Sequence, residues 1–335
     1  MRVTIADVAR AAGVSKSTVS RVLNSKGEVD VRTAERVRHV IDRLGYVPSS
    51  RAVGLARGRS RTLAVLTPSL SWPWTVEVLQ GAVDVVEAAG YGLLLFTRGR
   101  GRESMARFVG QVSANAFDGL LVIEPEGEVE AAAALHRAGL PVVLVGDRAH
   151  HPVFPSVTTT NALGGAAAAR HLLALGRRAP LVVTGPRRFG SVRERLDGFV
   201  SALEAHGVEH DPRRVVEGDF TERSGVEAVE KLLADDLELD AVFAHNDLGA
   251  AGALRALRAA GRRVPEDVAV VGFDDVPLAR CTDPPLTTVR QPLRAMGTAA
   301  ANLLLSRLGE APPPAEPAVL PTELVIRDSA PRPAP

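Results

Sequence analysis

The chain reads as an α/β protein with an all-helical head, and three features of the sequence predict it. The first sixty residues hold three short helical patterns separated by cap and turn signals. From Thr62 onward, short continuous apolar runs alternate with amphipathic stretches. Charge divides at the same place: residues 1–61 carry thirteen Lys or Arg against five Asp or Glu, a balance of +8, so the net +1 over 335 residues leaves −7 on the remainder. A basic head on an acidic body suits a module that touches polyphosphate joined to one that need not. From charge alone, the alternative is a merely solvated head.

Length and composition narrow the class further. A chain of 335 residues predicts two or more packed units, and an apolar fraction of 46% excludes a wholly disordered protein. No apolar run approaches the roughly 18 residues of a membrane helix. The start, MRVTIADVAR, lacks the basic, apolar and small-residue succession of a secretory leader, so a cytoplasmic protein without a membrane partner is expected. Cys281 stands alone and is expected as a small buried or half-buried side chain.

In the head, Thr4 opens a capping pattern with Asp7, the stripe Ile5, Val8 and Ala9 follows, and Gly13 ends the helix. Ser15 caps a second helix carrying Val19, Val22 and Leu23, ended by Asn24 to Gly27. Asp30 caps a third, with Val37, Val40, Ile41 and Leu44 on its buried face and Gly45 at its end. Only Gly13 and Val14 separate the first helix from the Ser15 cap, so the two must turn sharply across each other in a helix-turn-helix. The second helix then presents Lys16, Ser17, Thr18, Ser20 and Arg21 outward. Short polar side chains near a helix N-terminus can approach base edges or phosphates, and the Arg21 fork matches guanine O6 and N7. A small protein-binding bundle is the alternative; period and charge together favour DNA. Residues 48–58 could form one further short helix, marginal alone because nucleation is costly and weakened by Gly54.

The body predicts strands at Leu63–Pro68, Tyr91–Phe96, Gly119–Ile123 and Pro141–Gly146, with helices over Thr75–Ala89, Met105–Ala114 and Val129–Ala138 between them. After a loop rich in Pro and Thr, a second series follows. Its strands are Pro180–Gly185, Arg214–Glu217, Ala241–Asn246 and Val268–Asp275, and its helices are Ala162–Leu175, Arg193–His206, Gly225–Leu233 and Ala250–Ala259. Continuous apolar runs are the mark of parallel strands covered on both faces. Two such sheets imply two subdomains across a cleft, with ligands beyond the carboxyl ends of the strands. No phosphate-binding glycine loop, nucleophile elbow or metal-binding histidine pair appears, so a binding protein with no catalytic residues, metal or cofactor is expected.

The segment TIADVARAAGVSKSTVSRVLN, the LGYVP exit and the RAVGLA stretch together resemble the headpiece of the lactose-repressor (LacI/GalR-type) family of bacterial transcriptional regulators. The resemblance continues through RERLDGF, AHNDLGAAGALRAL, VPEDVAVVGFDD and DPPLTTVRQP, to about residue 327. It implies a helix-turn-helix headpiece over 1–47 and a hinge helix and linker over 48–60. A two-subdomain periplasmic-binding-protein-like α/β core would follow, with 61–158 and 288–319 in one subdomain and 159–287 and 320–330 in the other, before a proline-rich tail at 331–335. Crossovers are implied near Thr158, Thr288 and Leu320. The implied DNA contacts add Thr4, Ser15, Asn24, Ala52, Leu55 and Ala56 to those of the second helix, with Leu55 as a minor-groove wedge. Ala56 stands where family members often carry Lys, which removes one such contact. Leu55 as a plain interhelical contact is the alternative.

Strand-end logic and the resemblance select the same effector residues. Asp147 and Asp274 can accept paired hydrogen bonds from vicinal hydroxyls, Asn246 can donate and accept, and Arg195, Ser191 and Gln291 can add contacts. Asp274 as a cap for the next element is the bland reading. Trp72 and Trp74, the only tryptophans of the chain, follow the first strand and offer flat faces to the C–H face of a sugar, or else pack beneath the loop or at a dimer surface. Phe189 stands where relatives often have a polar or basic residue, which enlarges the apolar wall and weakens a purine reading. The WPW and TTTN variants resemble actinobacterial members that control xylan, cellulose or related glycoside use. The expected protein is therefore a repressor relieved by a sugar or oligosaccharide; a corepressor or a purine effector is the alternative. One headpiece reads too few bases for specific affinity, so a homodimer on a near-palindromic operator is expected. Its seam is expected to draw on Val78, Leu79, Ala82 and Val86, unless core packing claims them. Without a leucine heptad after Ile326, a dimer of dimers is not expected.

Overall fold

The computed structural model describes residues 3–23, 29–46, 60–99, 101–114, 116–125, 129–146, 154–309 and 317–333. The chain divides into two compact units, one covering Met1–Arg61 and the other beginning at Thr62.

Helices α1 (Ile5–Ala12), α2 (Lys16–Leu23) and α3 (Val31–Leu44) make the first unit. Their ends fall where the cap residues place them. The Thr4 hydroxyl and the Asp7 carboxylate form a reciprocal capping box, Asp30 accepts from Thr33 N at 3.1 Å, and Gly13 and Gly45 close α1 and α3 at φ of 66° and 60°. Val8, Ala9 and Ala12 of α1 meet Val19 and Val22 of α2 and Ala34, Val37 and Val40 of α3 in one small core. The positions predicted for a hinge helix, Ala52, Leu55 and Ala56 among them, lie outside the described residues.

In the second unit, β1 (Thr62–Thr67), β2 (Gly92–Thr97), β3 (Gly119–Ile123), β4 (Val142–Val145), β5 (Ser156–Thr159) and β11 (Ala318–Leu320) form one parallel sheet in the order β11-β5-β4-β3-β1-β2. A second sheet repeats the plan as β12-β10-β9-β8-β6-β7. It comprises β6 (Pro180–Thr184), β7 (Val215–Glu217), β8 (Ala241–Ala244), β9 (Ala269–Asp274), β10 (Thr287–Arg290) and an antiparallel edge strand, β12 (Glu323–Val325). The helices of this unit are α4 (Pro73–Ala88), α5 (Arg102–Ser113), α6 (Val129–Arg137), α7 (Asn161–Ala174), α8 (Gly190–Glu204), α9 (Glu222–Ala234), α10 (Asp247–Ala259) and α11 (Leu293–Ser306). Among the described residues no helix is long and apolar enough to cross a membrane, and no group of three or more His, Cys, Asp or Glu could hold a metal ion.

Several expectations shift. The stretch expected as a Pro- and Thr-rich loop contains β5, whose Ser156–Thr159 are all buried; its β-branched residues match a strand, and an apolar-run criterion passes over them. Helix α8 begins at Gly190, three residues before the expected start, which brings Ser191 into its first turn. The chain passes between the sheets at Thr160, after Arg290 and at Pro321–Thr322. The middle passage lies beyond Thr288 because Thr287–Arg290 pairs with β9 and β12. Core packing claims Val78, Ala82 and Val86 of the expected seam, each about 1% exposed and clustered with Leu293, Met296, Ala300 and Ala301 of α11, while Leu79 is half-buried. Cys281 is exposed, not buried, because Ala279 takes the inward position of that turn.

Candidate functional site

On the head, Ser15 accepts from Thr18 N at 3.1 Å, and its hydroxyl lies 2.7 Å from that of Ser17 and 2.8 Å from that of Thr18. The valines of α2 turn inward, which leaves Lys16, Ser17 and Arg21 exposed and Thr18 and Ser20 half-buried on the outer face. Thr4 is engaged in its own cap, donating from Oγ1 to Asp7 at 2.6 Å. That bond, with the nearby Arg10 charge, holds the Asp7 carboxyl below the usual range. Asn24 lies outside the described residues.

The core site follows from topology. In each sheet the order reverses beside the first strand, at β1/β3 and again at β6/β8, and ligands of open parallel sheets sit at such switch points. From β1 the chain runs into Trp72 and α4, and from β3 into Glu124. From β6 it runs into Phe189 and α8, and from β8 into Asn246 and α10. These four exits converge. Trp72 meets Phe189 edge-on at 5.8 Å and Phe220 at 5.2 Å, so an aromatic from the first sheet touches two from the second. Nearby, Ser191 Oγ donates to Glu124 Oε1 across the sheets at 3.2 Å. Trp74 lies in the first turn of α4, 8% exposed, within the core layer and not in the aromatic trio.

Arg195 is the polar centre. It projects from α8, donates from Nε to Asn161 Oδ1 at 2.9 Å and from a terminal nitrogen to the His245 carbonyl at 2.6 Å, and stands 3.7 Å over the Phe273 ring. Asp274 Oδ1 lies 3.9 Å away and accepts from Gln291 Nε2 at 2.7 Å, while Thr159 Oγ1 donates to Gln291 Oε1 at 2.7 Å. Gln291 and Thr159 border two of the passages between the sheets, so this chain of bonds joins Asp274 and Arg195 to the crossover segments. Asn246 is already committed: Oδ1 caps α10 through Gly249 N, and Nδ2 donates to the Phe220 carbonyl at 2.8 Å, which holds that aromatic in place. Asp147 lies outside the described residues.

Burial sets the electrostatics. Asp274 is pushed up to about 6, because desolvation outweighs the opposing pull of Arg195 and the bond from Gln291. Desolvation, reinforced by the Asp274 charge, raises Asp247 well above the carboxylate range although it accepts from Thr288 Oγ1 and Val276 N. Asp275, 1% exposed in its side chain, is instead gripped by Arg290 and Arg327 at 2.7 and 2.5 Å. Asp274 and Asp275 adopt φ of 109° and 57°, and Glu124 of 43°. Left-handed non-glycine backbone of this kind gathers at ligand sites, where surrounding packing over-determines it.

The structure thus brings Trp72, Phe189, Ser191, Arg195, Asn246, Asp274 and Gln291 together. Sequence reasoning passed over Glu124, Asn161, Phe220 and Asp247. Glu124 follows an apolar run, so strand-end logic could have found it. Phe220 sits in an irregular loop at φ 67° and carried no local signal.

Known proteins match along the whole length. Residues 4–49 match the family described as bacterial regulatory proteins, lacI family, and residues 169–330 match the periplasmic binding protein-like domain. The HTH-type transcriptional regulator CelR of Thermobifida fusca is 38% identical over 336 residues, covering 98% of each chain. The transcriptional regulator DegA of Bacillus subtilis is 32% identical over 335 residues, again covering 98% of each. Among solved structures, a CelR–cellobiose complex aligns with a TM-score of 0.76 at 37% identity over 98% of this chain and 100% of that one. The lac repressor dimer bound to operator and the anti-inducer ONPF aligns at 0.87 and 29% identity, over 99% and 100%.

Proposed function

The chain belongs to the lacI family of bacterial transcriptional regulators, which bind DNA through a helix-turn-helix, and on that premise we propose that it is a repressor released from its operator by a saccharide bound between its two sheets. The observation that carries this reading is the make-up of the cleft. An aromatic wall of Trp72, Phe189 and Phe220 stands beside Arg195, Asp274 and Gln291, which suits the C–H face and the hydroxyls of one sugar respectively. A CelR structure holds cellobiose, which makes β-linked glucose oligomers the first ligands to try.

Operator recognition is assigned to Lys16, Ser17, Thr18, Ser20 and Arg21 of α2 in each of two copies, since one head buries too little for specific affinity. The homodimer is part of the proposal, in keeping with the lac repressor dimer on its operator, and so is a cytoplasmic location. A saccharide that bridges the two sheets favours the arrangement in which both faces touch it. The heads then lose their operator spacing, and by linkage operator DNA weakens saccharide binding by the same factor.

The test is fluorescence anisotropy on an operator selected from a random duplex pool, at one fixed salt concentration because phosphate contacts make affinity salt-dependent. Cello- and xylo-oligosaccharides, simple sugars and purines form the panel. Relief by an oligosaccharide is expected. Tighter binding would reverse the sign to corepression, and a response to purines alone would replace the effector class.

A further inference from the structure

The second sheet carries an unassigned polar pair at its switch point. Backbone register sets Val183 of β6 opposite Ala244 of β8, and His245 N donates to the Val183 carbonyl at 2.8 Å, so Thr184 and His245 are the next neighbours along the two strands. Side chains alternate along a strand. Thr184 and His245 therefore project to the face that holds Val182, Phe243 and Phe199, and the His245 ring lies 5.1 Å from that of Phe243. Arg195 occupies this same face, over Phe273, with its guanidinium bonded to the His245 carbonyl. On the other side, the Phe220 ring closes on Gly185, where a Cβ would lie 2.0 Å from it. The pair thus sits at the two strand ends, with the guanidinium bonded to the His245 carbonyl and Phe220 closing on the residue after Thr184.

Both side chains are almost wholly buried, at 2% for Thr184 and 1% for His245, and among the described residues neither Thr184 Oγ1 nor either His245 ring nitrogen has a hydrogen-bond partner. Buried polar atoms without partners are rare, because each carries the full cost of leaving water. Three such atoms on adjacent strand ends, at the crevice where open parallel sheets take ligands, form a set of donors and acceptors waiting for a guest. We propose that Thr184 and His245 form a specificity subsite that takes one hydroxyl of the saccharide effector, with the threonine hydroxyl and the imidazole sharing donor and acceptor roles toward it. The subsite rests on the effector reading above. Its chemistry is complete with a neutral ring: burial, and then the charges of Arg195 and Arg187, keep the imidazole well below its ordinary titration range, so it offers one donor and one acceptor. A polyhydroxyl ligand is favoured over an apolar one, since an apolar group here would leave all three atoms unpaired.

Isothermal titration of the full-length protein with cellobiose and its monodeoxy derivatives tests this, with the variants Thr184→Val, Thr184→Ser and His245→Ala checked for folding by thermal melting. Thr184→Val and His245→Ala are each expected to weaken cellobiose binding about tenfold, with Thr184→Ser keeping most of the affinity. One deoxy derivative should bind the wild type about tenfold more weakly yet bind Thr184→Val no more weakly than cellobiose does. Wild-type cellobiose affinity in both variants, or equal losses for every deoxy derivative, would overturn the subsite and leave the pair as a holder of buried water. Failure of the wild type to bind any saccharide would remove the effector reading, and the subsite with it.

Discussion

Asp274 leaves β9 at φ 109°, 4% exposed, with its carboxyl between Gln291 and Arg195. Its native value of about 6 lies above the 3.8 of an unperturbed aspartate, so the folded protein binds that proton more tightly than the unfolded chain. The stabilisation is full below the ordinary aspartate range and is lost as pH rises through about 6, a change of order 3 kcal/mol shared with neighbouring Asp247. Urea unfolding midpoints should therefore favour Asp274→Asn over the wild type at pH 7.5, with the gap about halved at pH 5 and closed near pH 3. A gap independent of pH would show that the carboxyl is already ionised in the native state. Arg21 can be weighed the same way, as one exposed fork on α2. Arg21→Ala should cost about 1–3 kcal/mol on the selected operator and much less on a scrambled duplex, read by anisotropy at one salt concentration. Equal losses on both would make it a phosphate contact.

At the scale of elements, caps and turns were legible because their chemistry is local: Thr4 with Asp7, Ser15 with Thr18, and Gly13 and Gly45 in left-handed backbone all act within four residues. Contacts between helices were not. Gly165 of α7 lies so close to α8 that a Cβ would fall 2.1 Å from the Arg195 carbonyl, and one at Gly198 would fall 2.0 Å from that of Ala162. Gly165→Ala should thus destabilise by about 1–3 kcal/mol through overpacking, and should weaken saccharide binding along with it because α8 carries both Ser191 and Arg195. Gly176→Ala is the matched control. That residue has φ +77° and open space around it, so only backbone strain of about 1 kcal/mol is expected, with effector affinity intact. Chemical denaturation and titration of the two variants separate these outcomes, and equal effects on binding would break the link between α8 packing and the site. Core packing claims Val78, Ala82 and Val86 of the expected dimer face of α4 for a related reason, while Leu79 stays half-buried. An apolar helical stripe says that something covers it, and here α11, more than two hundred residues away in sequence, does so.

For the whole molecule, the sequence by itself determined the division into a basic helical head and an acidic α/β body, the order of most strands and helices, and the polar face of α2 that is left outward. Each of these is written in charge, periodicity and cap residues that act over a few neighbours, and the repressor and dimer readings draw on them. Tertiary structure alone decided what meets at the cleft. It set Trp72 against Phe189 and Phe220, Ser191 against Glu124, and Thr184 beside His245, and it turned Asn246 inward to hold the Phe220 loop. The reason is physical: desolvation, orphaned hydrogen-bonding atoms and shifted carboxylates arise only when segments remote in the chain exclude water together, and periodicity along one segment carries no record of what lies across from it.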